Sequence, residues 1–267
     1  MPFVTVNGVK LHYTDTGSGP ETIVFSHGLL MSGKMFDAQV AHFSDRYRCI
    51  TFDHRGQGQS EVAQDGYDMD SVARDAEALI EALDLGPVHF AGLSMGGFVG
   101  MRLALWRPEL LKSLILLETS ADPEPEENQP KYRMLNFVAR WFGLRVVVGQ
   151  VMPIMFGQSF LNDPARAGER KLWRDRICGN DRKGIVRAVQ GVIDRDGVFD
   201  DLGRIDTPTL ILVGEEDVAT VPLKSERICA AINGARMQVM PRAGHSATIE
   251  EPDEVNARVE AFLGELV

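Results

Sequence analysis

The stretch HFAGLSMGGFVG, residues 89–100, decides the fold of this chain. It leaves an apolar run predicted as a strand and enters a run predicted as a helix, and four glycines surround its single serine, Ser94. Glycine is costly inside either element, so the backbone must require it here. Gly92, Ser94 and Gly96 form the pattern G-x-S-x-G. Between a strand and a helix, this pattern is typical of a sharp turn that lifts the serine hydroxyl clear of the sheet.

A serine placed in this way needs a base to accept its proton and an acid to orient that base. Among six histidines, His245 lies in MPRAGHSATIEEP, just after the predicted last strand. Asp217 ends TLILVGEED, at the carboxyl end of the preceding strand, where functional groups of open α/β sheets gather. Glu215 and Glu216 compete with Asp217 as the acid. The order Ser94, Asp217, His245 is the one this architecture uses.

Short apolar runs alternate with helical periods, which predicts an α/β fold with a mostly parallel sheet and crossover helices. FVTV and VKLHYTDTG, joined at Asn7-Gly8, predict a hairpin at the start. After Glu118 the pattern becomes helical and irregular, and methionines and aromatic residues concentrate there. We therefore predict an α/β core over residues 1–120 and 204–267, with a helical lid inserted over residues 121–203.

The composition of the 267-residue chain, 44% hydrophobic and 25% charged, fits a globular enzyme or a small-molecule binder. Its net charge of −10 predicts that neither nucleic acid nor a membrane is a partner, because phosphate binding requires a basic patch. Cys49, Cys178 and Cys229 lack metal-ligand spacing and suit a reducing compartment. No signal peptide or membrane-spanning run is evident, so we expect a cytoplasmic location.

Five motifs, in order along essentially the whole chain, resemble the α/β-hydrolase superfamily. They are HGLLMSG after the first core strand, FDHRGQGQS after the next, GLSMGG, LVGEEDVATVP and AGHSATIEEP. The resemblance implies an α/β-hydrolase fold and a catalytic triad of Ser94, Asp217 and His245, without a metal or cofactor. It also implies an oxyanion hole formed by the backbone N–H groups of Met95, directly after the serine, and of Leu29, directly after the HG of the first motif.

Other residues of these motifs are predicted to be structural. His27 would hold its loop, and Asp53, Arg55 and Gly56 would form a turn. No partner for the remaining histidines follows from the sequence, so they are expected to belong to the scaffold or the surface; these are His12, His42, His54 and His89.

The chemistry that the resemblance implies is acyl transfer to water through an acyl-enzyme on Ser94. Within the serine branch, the first two motifs are similar in spacing to 3-oxoadipate enol-lactonases, related carboxylesterases and cofactor-free perhydrolases. We expect an esterase or lactonase for small to medium apolar substrates, and a homo-oligomer is compatible with the sequence. Two alternatives stay open: a perhydrolase or haloperoxidase-like activity in which peroxide replaces water, and a non-catalytic small-molecule receptor.

The lid itself raises a separate expectation. If residues 121–203 fold over Ser94, apolar lid side chains such as Trp141 and Met155 would line the acyl pocket and set the preferred chain length. The alternative is that these side chains form only the internal core of the lid.

Overall fold

One sheet of eight strands organises residues 2–266, the part of the chain that the computed structural model describes. The strands are β1 Phe3–Val6, β2 Val9–Thr16, β3 Thr22–Ser26, β4 Arg48–Phe52, β5 Val88–Leu93, β6 Leu111–Leu117, β7 Thr209–Gly214 and β8 Arg236–Met240. Their order across the sheet is β1-β2-β4-β3-β5-β6-β7-β8. β2 pairs antiparallel with β1 and β4, and all other pairs are parallel. The carboxyl ends of β3 to β8 therefore meet at one edge.

Helices fill the crossovers between the parallel strands and cover both faces of the sheet. They are α1 Asp37–Phe43, α2 Met69–Ala82, α3 Met95–Trp106, α4 Gln129–Phe142, α5 Leu144–Met155, α6 Gln158–Asn162, α7 Ala167–Gly179, α8 Arg182–Ile193, α9 Pro222–Ala231, α10 Ala247–Glu250 and α11 Pro252–Gly264. The layer on one face contains α2, α3 and α9, whereas α1 and α11 belong to the opposite layer.

The central strands read as continuous apolar runs because each strand contributes to both layers. Along β3, Ile23 and Phe25 pack in the layer of α1 and α11, and Val24 packs in the layer of α2 and α3. Successive side chains of a strand point to opposite faces, so a sheet buried on both faces needs apolar residues at every position. The crossover pattern read from the sequence is therefore confirmed by the packing.

The predicted core elements are confirmed, with small shifts at their ends. At the first hairpin, Asn7 and Gly8 have φ values of 47° and 73°, as a two-residue turn between antiparallel strands requires. A 3₁₀ turn at Gly33–Phe36 precedes α1. The Gly33 amide donates to the Asp53 carboxylate at 2.8 Å, which fixes the chain in this tight turn.

Five helices, α4 to α8, lie between β6 and β7. Part of this region packs into the core layer of α1 and α11, through buried residues such as Val148 and Trp173. The expectation that Trp141 lines a pocket is wrong, because its side chain is 61% exposed. Ala139 on the same helix is buried, and two helical positions differ by about 200° around the axis. Trp141 therefore faces away from the interior.

Within residues 2–266, no helix is both long and apolar enough to cross a bilayer. Residue 1, which begins the first predicted core segment, and residue 267, which ends the second, lie outside the described residues.

Candidate active site

Ser94 occupies a strained turn between β5 and α3. Its φ and ψ are 54° and −110°, in a region that residues other than glycine rarely adopt. Its backbone N–H donates to the Leu117 carbonyl at 2.9 Å, which ties the turn to β6. Strain of this kind is maintained only where the surrounding structure holds it, and it occurs preferentially at functional sites.

The glycines on either side make this turn sterically possible. A Cβ atom at Gly92 would lie 2.2 Å from the Gly96 carbonyl oxygen, and one at Gly96 would lie 1.9 Å from the Ser26 carbonyl oxygen. Both distances are far below van der Waals contact, so no side chain fits at either position. The two fixed glycines of the motif thus allow β5, α3 and β3 to approach one another.

The structure brings Ser94, His245 and Asp217 together in one hydrogen-bonded chain. The Ser94 Oγ lies 2.9 Å from the His245 Nε2, and the His245 Nδ1 lies 2.8 Å from the Asp217 Oδ2. Because a carboxylate can only accept, Nδ1 carries the proton, and Nε2 is left to accept from the serine hydroxyl. All three side chains are buried, with exposed fractions of 3% to 8%. This geometry allows the imidazole to take a proton from the hydroxyl.

Asp217 is held as an anion by its neighbours. Burial alone would raise its pKa, but the charge and hydrogen bond of His245 and the hydrogen bonds from Thr220 outweigh burial and hold the pKa well below its usual range. Its Oδ1 accepts from the amides of Ala219 and Thr220, and its Oδ2 accepts from the Thr220 hydroxyl at 2.7 Å. Of the two competing acids, Glu215 is exposed and Glu216 binds Ser159 of α6.

Two backbone N–H groups beside Ser94 are free to bind a ligand oxygen. Across residues 2–266, neither the Leu29 amide nor the Met95 amide has a hydrogen-bond acceptor. Met95 is the first residue of α3, where helical N–H groups have no partner within the helix. The turn that carries Leu29 touches Ser94, since a Cβ atom at Gly28 would lie 3.5 Å from the Ser94 Cβ. Two amides without an acceptor beside the serine are what an oxyanion hole requires, and their role as one stays a prediction.

A cavity of about 140 Å³ opens onto Ser94 and His245. Its walls are mostly apolar and come from α4, α5 and α8, including Ala139, Met155 and Ile185. The polar residues Glu124, Tyr132, Asn136 and Arg195 also line it, and Arg195 and Glu124 form an ion pair at 2.8 Å. Of the two lid residues named from the sequence, Met155 lines this cavity and Trp141 does not.

Sequence reasoning missed Glu118, which lies directly after β6. Its side chain is completely buried, its φ is 46°, and its Oε2 accepts from the Gly214 amide at 2.8 Å. Burial and, next, the charge of the nearby Asp217 raise the pKa of Glu118 well above its usual value. Among the described residues, its Oε1 has no hydrogen-bond partner. The available signal was an acidic residue that closes an apolar strand at the functional edge of the sheet.

Sequence reasoning also missed Glu250, five residues after His245. Its carboxylate accepts from the backbone amides of Gly244 and Ser246, which flank His245, and from the amide of Gly157, directly before α6, at 2.8 to 3.0 Å. Burial raises the pKa of Glu250 to about 7, although the three amides oppose this rise. The Glu250 side chain thus links the segment between β6 and β7 to the loop that carries His245. Because Glu250 and Glu251 are adjacent, the sequence did not show which of the two glutamates binds these amides.

The residues read as structural do form a scaffold beneath the site. The His27 Nε2 accepts from the His54 amide at 2.9 Å, and burial lowers the pKa of both imidazoles. Arg55 forms a buried bidentate pair with Asp75 through contacts of 2.6 and 2.7 Å. His12, His42 and His89 also have partners that the sequence did not indicate, namely Asp53, Glu260 and Ser113.

Known proteins are similar to this chain in sequence and in fold. A 3-oxoadipate enol-lactonase from Acinetobacter baylyi is 29% identical, covering 97% of this chain and 95% of that protein. A non-heme chloroperoxidase from Burkholderia pyrrocinia is 31% identical, covering 98% and 99% of the two chains. A thermophilic esterase from Thermogutta terrifontis superposes with a TM-score of 0.91 at 28% identity, covering 99% and 97% of the chains. The model of the alpha/beta hydrolase family matches residues 23–258. The chain therefore belongs to the alpha/beta hydrolase family of enzymes.

Proposed function

We propose that this protein is a serine hydrolase that cleaves carboxylic esters or lactones through an acyl-enzyme. The observation that carries the proposal is the hydrogen-bonded chain from the Ser94 Oγ through His245 to Asp217, at 2.9 and 2.8 Å, at the mouth of an apolar cavity. Similarity to an enol-lactonase and to an esterase supports the same reaction class.

In the proposed reaction the Ser94 oxygen attacks the substrate carbonyl while the His245 Nε2 accepts the serine proton. The Leu29 and Met95 amides then donate hydrogen bonds to the oxyanion of the tetrahedral intermediate. Protonated His245 gives its proton to the leaving alkoxide, and Asp217 stabilises the imidazolium in the meantime. In the second half, His245 takes a proton from water, whose oxygen attacks the acyl group and releases the acid and Ser94. No cofactor enters these steps.

The cavity limits the proposed substrate. A dry cavity of similar volume in another protein holds a molecule the size of benzene, so an acyl or alcohol group of about that size fits beside Ser94. We propose that residues 121–203 act as a lid over the core segments 1–120 and 204–267, because helices of this segment supply most of the apolar wall. A small, largely apolar ester or lactone is therefore the proposed partner of this site.

The proposal is tested by hydrolysis of a panel of p-nitrophenyl esters and lactones. Ser94→Ala and His245→Ala are expected to lower kcat/KM by about 10⁴-fold or more with an unchanged circular dichroism spectrum. His42→Ala is the matched control, since His42 pairs with Glu260 outside the cavity, and it should retain full activity. If the wild type binds these compounds without turning them over, the protein is a receptor and the proposal is wrong.

A second candidate function is perhydrolysis, which the 31% identity to a non-heme chloroperoxidase favours. The same acyl-enzyme would then be attacked by hydrogen peroxide instead of water, and a peracid would leave. The two candidates are separated by supplying peroxide with a simple ester and measuring the ratio of peracid to acid. A ratio above that of the uncatalysed competition assigns the perhydrolase function.

A further inference from the structure

Large apolar side chains are exposed on the outside of the lid. Met134, Phe137 and Trp141 follow one another at helical spacing along α4, and Phe142 and Val146 continue at the junction with α5. Each of the five is 59% to 69% exposed. The ring centroids of Phe137 and Trp141 lie 6.4 Å apart, so these two side chains form a contiguous surface. We call these five residues the lid outer face.

Charge is distributed unevenly around this face. Residues 128–179 carry nine basic and three acidic side chains, whereas the rest of the chain carries 19 basic and 35 acidic ones. No residue from 128 to 162 is acidic. Arg140 lies over the Trp141 ring at 5.8 Å, and Arg145 is exposed in the first turn of α5. Residues 128–179 thus form a basic segment within a lid that is nearly neutral as a whole, with 13 basic and 12 acidic residues over 121–203, and the core is acidic. The net charge of −10 conceals this basic segment.

From these two features we propose that the lid outer face docks on a lipid surface that carries anionic headgroups. An apolar stripe flanked by Lys and Arg is the combination that binds at the boundary between headgroups and acyl chains. The basic residues are attracted to the negative surface potential, and the acidic body is held away from it. The expectation from net charge alone, that a membrane is not a partner, does not apply to this face.

A second copy of the chain fits this face less well. A symmetric dimer through it would place two basic segments against each other, and like charges at close range oppose association. The opposite side of α4 lines the cavity through Leu135, Asn136 and Ala139. Docking would therefore place the cavity next to the lipid, separated from it by one helix. The inference is independent of the proposed hydrolytic reaction.

The test is sedimentation of the full chain with vesicles. Phosphatidylcholine vesicles are compared with vesicles in which about a third of the lipid is phosphatidylglycerol, and binding to the anionic vesicles is expected to be about tenfold stronger or more, falling with salt. The double variant Phe137→Ser, Trp141→Ser should lose about tenfold in binding or more. Arg140→Glu with Arg145→Glu should remove the preference for anionic lipid.

Phe3→Ser is the matched control, because Phe3 is an exposed aromatic residue on β1, far from the lid in the sheet order, and it should bind like the wild type. Unchanged circular dichroism shows that the variants are folded. Absence of binding to either vesicle would overturn the proposal, as would equal binding by wild type and the aromatic double variant. A dimer in sedimentation equilibrium that the double variant abolishes, without vesicle binding, would assign the face to a second copy instead.

Discussion

At the scale of single residues, Glu118 shows how burial raises the pKa of a carboxyl group and favours its neutral form. Two carboxyl groups in contact cannot both ionise in a buried site, and the one with more hydrogen-bond donors keeps the charge. Asp217 receives four donors, from Ala219, Thr220 and His245, whereas Glu118 receives only the Gly214 amide. Glu118 is therefore the carboxyl group whose neutral form is favoured.

We predict that Glu118→Gln keeps kcat within about threefold of the wild type, because glutamine has a similar shape, carries no charge and retains an oxygen that accepts from the Gly214 amide. Glu118→Leu should lower kcat about tenfold or more, with a smaller change in KM, since leaving the buried Gly214 amide without an acceptor costs about 1–3 kcal/mol. Steady-state kinetics on an ester measures both. Equal loss in the two variants would mean that the hydrogen bond from the Gly214 amide to Glu118 has no role in positioning Asp217.

Glu250 provides a pH-dependent contribution to stability. Its pKa is raised from 4.5 to about 7 in the folded protein, so the folded state binds the proton more tightly than the unfolded chain. The contribution of Glu250 to the free energy of unfolding therefore falls by about 3 kcal/mol as the pH rises from about 4.5 to about 7.

Urea denaturation of the wild type and of Glu250→Gln at several pH values measures this contribution. The difference in unfolding free energy, wild type minus variant, should decrease across the interval, because other titrating groups are common to both proteins. Glu251→Gln is the control, since Glu251 pairs with Arg242 and lacks the three amide donors of Glu250. A difference that rises with pH would contradict the assignment.

At the scale of elements, α4 contacts different surroundings on its two sides. Its inner side, with Ala139, lines the cavity, and its outer side, with Trp141, is exposed to solvent. The apolar residues of α4 extend over both sides, so the sequence pattern did not show which of them face the cavity. Only packing against α5 and α8 decides which residues face the substrate.

We predict that Met155→Ala shifts the ratio of kcat/KM for long and short esters toward the long ones by about tenfold, since a methylene in an apolar pocket is worth about 1–3 kcal/mol. Met155 is 5% exposed and lines the cavity, so its truncation also creates space at a cost in stability. Trp141→Ala is the matched control and should leave the ratio unchanged. A shift caused by Trp141 alone would place the acyl pocket elsewhere.

At the scale of the whole molecule, lid and core meet at two glycines. A Cβ atom at Gly244 would lie 2.1 Å from the Gly157 nitrogen, and a Cβ atom at Gly157 would lie 2.9 Å from the Gly244 nitrogen. The backbones of the lid and of the loop that carries His245 therefore touch directly. The Glu250 carboxylate accepts from both amides and holds this junction together.

We predict that Gly157→Ala and Gly244→Ala each lower the free energy of unfolding by about 1–3 kcal/mol, because the added methyl group separates the two backbones. Both should also lower kcat, since the junction adjoins His245. Gly149→Ala is the control: a Cβ atom there meets nothing within 4 Å, and replacing a helical glycine should stabilise α5 by about 0.5–1 kcal/mol. Equal behaviour of all three variants would show that the junction is loose.

The sequence by itself determined the α/β-hydrolase fold and the positions of Ser94, Asp217 and His245. It could do so because each depends on a local rule: the two glycines that a strained serine turn requires, and polar residues at the ends of apolar strands. Their roles remain a proposal that kinetics must test.

Only the tertiary structure decided which side of α4 faces the cavity, that Glu118 is buried near Asp217, and that Glu250 binds both Gly157 and the loop that carries His245. These depend on what surrounds a side chain. Burial and the charge of Asp217, a residue about 100 positions further along the chain, raise the pKa of Glu118. A residue type and its neighbours in sequence do not specify burial or distant charge, so no pattern could have revealed them.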